Sequence, residues 1–186
     1  EGVFPGTQVE RDGGALAGAS WFTGEGYDLV EATYEEGYGP DADRAVTHRR
    51  KVVFVKRGLQ GLGPFLLVFD RLLPDDRSTH SYQVLWHLDA ERVRVEGLSA
   101  RSEDPGLANL CLAAAGPDGL AVQVVAGQES PEWQGWKTVA EHQQGQYAPA
   151  PAVIYSLEAR GPVRLVTCLY PARPGAACPL RAVEAG

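Results

Sequence analysis

The segment HRRKVVFVKRGLQGLGPFLLVFDRLLPDDRSTHSYQVLWHL, which opens at His48, leaves the chain few folds to choose from. Its runs VVFVK, PFLLVFDRL and SYQVLWHL are rich in Val, Leu, Phe and Trp and are bounded by Gly, Pro and Asp. Runs of that length and composition form antiparallel strands, because such side chains pack well on a pleated surface. We read three strands of one sheet, joined by a Gly-rich turn and a Pro-Asp-Asp turn, with the rest of the chain built on it. The VVFV part of the first is apolar on both faces, as in a strand held inside a core.

The flanks continue in the same manner. LAGASWF reads as a short strand, and YDLVEATY as a partly exposed one whose alternation is imperfect. ERVRVEG and LSARSE are short strands with polar residues at alternate positions. LANLCLAAAG and LAVQVVAG are expected to form a hairpin across GPDG, where Asp118-Gly119 suits a tight turn. From Gln128 to Pro151 the pattern breaks into a polar, aromatic, Pro-bounded loop of the kind that carries function. AVIYSLEAR and VRLVTCLYP then restore two strands on either side of Gly161-Pro162. With 22 Gly and 13 Pro to supply turns, the expectation is an all-β, two-sheet antiparallel sandwich of roughly a dozen strands. Residues 1–186 form a single domain on this reading.

Charge and cysteines narrow the partners. A formal charge of −7 argues against a nucleic-acid partner, since that affinity rests on neutralising phosphates. No run approaches the ~18 apolar residues that span a bilayer, and EGVFPGTQVE lacks the basic start and apolar core of a signal peptide. We therefore expect a soluble piece with no membrane contact. With no Met anywhere and Glu1 first, it is expected to be a mature or trimmed product. Cys111, Cys168 and Cys178 are odd in number, so they make no closed disulfide framework. Cys168 and Cys178 flank the turn PARPGAA and either pair in a hairpin or stay as thiols.

Phosphate loops, dinucleotide fingerprints, zinc signatures and the nucleophile elbow of hydrolases are all absent. Asp41-x-Asp43 lacks the later Gly and Glu of a calcium loop and reads as a solvated turn. His80 and His87 lie an odd number of residues apart on one strand, so they face opposite ways and share no metal. His48-Arg49-Arg50-Lys51 is the one concentrated basic run. On a regular strand His48 and Arg50 share a face, as do Arg49 and Lys51. They either balance Asp70, Asp75 and Asp76 or contact an acidic partner such as a uronate, which a guanidinium holds through two parallel hydrogen bonds. Trp133, Trp136, His142 and Tyr147 crowd the long loop. Aromatic rings beside polar groups suit the C–H faces of sugars, and they also staple a loop to its own sandwich.

The order of these features resembles the heparinase II/III family of polysaccharide lyases in its C-terminal part. The likeness is carried by Tyr34, THRRKVVFV, FLLVFDRL, HSYQVLWHL, Gly135-Trp136, Tyr147, PAPAVIY and VTCLYP, from about Trp21 to Pro171. The resemblance implies a parent enzyme with an N-terminal helical toroid and β-sandwich domains. That parent would cleave uronic-acid polysaccharides by β-elimination, in which a base removes the C5 proton and an acid protonates the departing oxygen. It implies that these 186 residues are a piece inactive alone, with no catalytic residue and no metal ligand of its own, and that any zinc of the parent lies outside them. His48 matches a His-x-Arg strand and Asp70 a strand end, both as fold supports. The implied partners are the helical domain and an acidic polysaccharide, and the implied location is the periplasm or outside the cell. The candidate sugar contacts are His48, Arg50, Trp133, Trp136, His142 and Tyr147. A second reading, a free-standing carbohydrate-binding module, uses the loop aromatics as its whole site.

Overall fold

The computed structural model describes residues 3–4, 17–36, 38, 46–59, 61–139 and 146–180. His142, Asp41 and Asp43 lie outside the described residues. Among those described, every regular element is a strand: β1 (Val3–Phe4), β2 (Ala17–Thr23), β3 (Tyr27–Tyr34), β4 (Val46–Val55), β5 (Phe65–Pro74), β6 (Thr79–His87), β7 (Val93–Glu96), β8 (Ser99–Ser102), β9 (Asn109–Ala115), β10 (Ala121–Val125), β11 (Trp136–Thr138), β12 (Tyr147–Pro149), β13 (Ala152–Arg160) and β14 (Val163–Ala172). They form a nine-stranded sheet in the order β1-β2-β3-β4-β5-β14-β9-β8-β7, a three-stranded sheet β10-β13-β6, and the pair β11-β12. The two larger sheets stack as an all-β sandwich.

Strand alternation builds the core. On the large sheet Val68 and Leu72 of β5, Leu112 and Ala114 of β9, and Val163, Leu165 and Leu169 of β14 are buried. They meet Tyr82 and Val84 of β6 and Val153, Tyr155 and Leu157 of β13. The Tyr155 phenol sits in this core and donates a hydrogen bond to the Leu98 carbonyl at 3.1 Å.

The strands fall where the sequence puts them, but three of the pairings differ from expectation. β4 and β5 do form a hairpin, from Val46↔Pro74 to Val55↔Phe65. Its turn needs Gly58, whose φ is +66° and where an added Cβ would lie 1.8 Å from the Leu62 carbonyl oxygen. β6, however, leaves the large sheet and pairs with β13. Both edges of β5 are already taken, by β4 and β14, so the Pro-Asp-Asp turn carries the chain across the sandwich. β9 and β10 make no hairpin for the same reason. β9 lies between β14 and β8, and β10 pairs with β13. The 128–151 loop also contains strands, the short ladder from Trp136↔Pro149 to Thr138↔Tyr147.

Two local expectations are corrected as well. β4 is not enclosed on both faces: Phe54 is exposed and its neighbours are only half-buried, because the three-stranded sheet is too narrow to cover nine strands. Cys178 pairs with Cys111 rather than with Cys168. The segment after β14 folds back over β9, helped by a hydrogen bond from Arg101 to the Ala176 carbonyl.

Candidate functional site

Where the large sheet runs past β6, the sandwich opens into a cleft of about 700 Å³. Its lining includes Tyr38, His48 and Arg50 on one side, His80, Tyr82 and Gln83 on the other, and Glu132 at the rim. The basic run divides as strand alternation requires. His48 and Arg50 turn inward and Arg49 and Lys51 outward.

Asp70 lies behind His48 and Arg50. It faces Arg50 across the β4–β5 ladder and is 2% exposed. Its carboxylate accepts hydrogen bonds from His48 Nε2 at 2.6 Å, Arg50 Nε at 2.7 Å and Arg50 Nη2 at 3.1 Å. Burial alone would raise the carboxyl pKa, but the bonds from His48 and Arg50 outweigh it and hold the group below the usual carboxylate range. Asp70 is therefore ionised at neutral pH. His48 Nε2 is therefore the donor to Asp70, and Nδ1 is in contact with the Tyr38 hydroxyl. Burial, reinforced by the nearby Tyr34 and Asp70, pushes the Tyr38 phenol up despite Arg50, so it stays protonated. Tyr38, His48 and Asp70 thus form one hydrogen-bonded chain, in which the carboxylate orients the imidazole. The Arg50 guanidinium is engaged by Asp70 through Nε and Nη2 and lies 5.8 Å from the Trp86 ring, so its charge is compensated within the fold. This is the charge-balance arrangement, not a bare cationic wall.

The loop aromatics also come together. Trp133 stacks on Trp136 with centroids 5.4 Å apart and planes 6° off parallel. Tyr147 meets Trp133 edge-on at 4.9 Å. Trp136 Nε1 donates to the Gln128 carbonyl at 3.0 Å. Gly135 makes the turn possible: its φ is +74°, and an added Cβ would fall 2.6 Å from the Val125 carbonyl oxygen. Trp136 is half-buried and staples the loop, while Trp133 is 54% exposed and offers ring surface to solvent. Through Glu132 this loop borders the cleft, so the two candidate groups are neighbours.

Sequence reasoning missed Tyr38 and underused Asp70. Tyr38 stands in a loop with no periodicity to mark it, and Asp70 is one carboxylate among many until its register with Arg50 is known. His80 is bonded to Asp76 at 2.8 Å and stacks on Tyr82, while His87 is exposed at the end of β6. Among the described residues no three His, Cys, Asp or Glu side chains converge, and Asp70 already holds His48 and Arg50.

The backbone of this arrangement recurs in solved structures. A heparinase III gene product aligns with 83% of the chain at a TM-score of 0.62 and 15% identity. The heparan sulfate lyase HepC from Pedobacter heparinus aligns with 87% at 0.65 and 16%. The chain shares its sandwich fold with one part of these proteins. A further heparinase III structure covers 87% at a TM-score of 0.60 and 14% identity. The chain spans only 21 to 23% of the length of those proteins. No protein-family model and no curated protein sequence matches it.

Proposed function

We propose that this chain is the non-catalytic β-sandwich of a heparinase III-like polysaccharide lyase, whose whole protein cleaves uronic-acid polysaccharides by β-elimination. The observation that carries this is the alignment of nearly the whole chain with about a fifth of each lyase. A helical domain elsewhere in the protein supplies the catalytic groups on this reading. The cleft with Tyr38, His48 and Arg50 then forms part of the substrate wall, where the protonated phenol and the imidazole meet sugar hydroxyls. The Cys111–Cys178 pair fits an oxidising compartment such as the periplasm or the cell exterior.

The test is to express the protein together with the region encoded ahead of Glu1 and supply heparan sulfate, alginate and other uronans. Appearance of the ultraviolet-absorbing unsaturated product is the expected result. If that region encodes no helical domain and no product forms, the lyase reading fails.

The exposed face of Trp133 favours a second reading, a free-standing carbohydrate-binding module. Replacing Trp133 with Ala would then abolish sugar binding by the chain while lowering its melting temperature less than Trp136→Ala does. Trp136→Ala would lower stability under either reading, because Trp136 holds the loop.

A further inference from the structure

We infer that the outer face of the large sheet carries a separate binding track for a linear acidic polysaccharide, built on Arg49, Arg71 and Arg164. The three side chains stand in one row across three adjacent strands. Arg49 faces Arg71 in the β4–β5 ladder, and Arg71 faces Arg164 in the β5–β14 ladder. Neighbouring strands lie about 4.8 Å apart, so the guanidiniums project at short, even steps across the sheet.

Like charges directly opposite one another destabilise a sheet, and here the fold accepts two such oppositions in succession. Among the described residues none of the three arginines has an ion-pair partner, and all three are exposed. Glu31 is the one acid lining the hollow beside this row other than Asp70, and it is held by Lys51 at 3.3 Å. Asp70 is engaged on the opposite side of β5. The face therefore keeps three uncompensated cations in a chain whose formal charge is −7. An arrangement that costs stability and has no internal partner is what a binding site for an anion looks like.

The row borders a hollow of about 510 Å³ floored by Val53, Phe69 and Val166, with Phe69 38% exposed. That volume suits one or two units of a small ligand, since such pockets run about 300–1,000 Å³. A phenyl ring beside evenly spaced guanidiniums fits a sugar carrying carboxylate or sulfate on successive units. The C–H face rests on Phe69 and the anions are held by the arginines. The inference rests on the acidic-polysaccharide reading above, and it places the contact on the face opposite the Tyr38–His48–Arg50 cleft.

The experiment compares calorimetric binding of three probes: a sulfated uronate hexasaccharide, its desulfated counterpart, and a polyglutamate peptide of matched charge. It uses the protein, its Arg71→Gln variant and the triple variant Arg49→Gln, Arg71→Gln, Arg164→Gln. Glutamine keeps much of the side-chain stem, and removing mutual repulsion leaves the melting temperature unchanged or higher, so loss of binding would not reflect unfolding. Arg71→Gln is expected to weaken hexasaccharide binding several-fold and the triple variant at least tenfold, with a shallower dependence on salt. Comparison of the sulfated and desulfated probes tells which anion the row prefers. A triple variant that binds as tightly as the parent overturns the inference and leaves the lyase reading to the product assay. Polyglutamate binding more tightly than either sugar overturns it in favour of an acidic protein partner, and no binding of any probe overturns it outright.

Discussion

Asp70 provides the sharpest test of how the cleft is held. Asp70→Asn preserves shape and removes the charge, leaving the Arg50 guanidinium without its counter-ion and turning one acceptor oxygen into a donor that faces His48 or Arg50. Removing one partner of a buried pair costs about 3–5 kcal/mol. The Arg50 side chain is 42% exposed and can swing its charge toward water, so we expect a loss below that range, about 2–3 kcal/mol. The pH dependence carries the signature. The folded-state pKa of Asp70 is depressed, so its contribution is fully present above the unfolded value of about 3.9 and is lost as pH falls through the folded value. Urea unfolding of the protein and the variant should therefore show the full gap at neutral pH and a narrowing gap in strong acid, where the native carboxyl becomes the neutral group that Asn imitates. Other carboxylates titrate alike in both proteins and drop out of the difference. Equal stability at neutral pH, or a gap that does not change with pH, would refute the argument.

Three further outcomes follow from the geometry. Gly135→Ala combines a left-handed backbone with a contact against the Val125 carbonyl, and should lower stability by about 2 kcal/mol or more; an unchanged melting temperature would show that the Trp133–Trp136 loop is not held by this turn. Tyr155→Phe removes the bond to Leu98 and should cost about 1 kcal/mol. Burial raises the Tyr155 phenol pKa well above its ordinary value, so the native protein loses stability as pH rises beyond about 10, and the Phe variant should lose less over the same range. Thiol titration of protein denatured without reductant should find one reactive group, Cys168, with the other two appearing only after reduction; three thiols at the outset would refute the pairing.

The strands were legible because alternation of apolar and polar residues is a local property. YDLVEATY, FLLVFDRLLP and AVIYSLEAR each became a strand. Their neighbours were less legible. A turn such as Pro74-Asp75-Asp76 reverses direction equally well within one sheet or between two, and what decides is whether the preceding strand has a free edge. For β5 that edge is filled by a strand that lies far along the chain. The same limit hid half of the site. His48 and Arg50 were visible as a basic pair, but their common partner depended on the β4–β5 register, and Tyr38 carried no periodic signal. The loop aromatics were found as a cluster, and only the three-dimensional arrangement separates the stapling Trp136 from the open Trp133. Cys111 and Cys178 are 67 residues apart, with nothing local to link them.

The position of β14 has a consequence for how the molecule is made. It lies between β5 and β9, so among the described residues the two halves of the nine-stranded sheet touch only through a strand that follows every other strand of that sheet in the chain. Until Val163–Ala172 arrives, β5 presents a long apolar edge of unpaired backbone groups, and such edges invite pairing with other chains. Contacts this distant in sequence form slowly. Shortening the chain before Val163 would therefore do more than remove one strand: it would leave two incomplete sheets, each with a sticky edge, and the expected product is aggregate rather than a smaller sandwich.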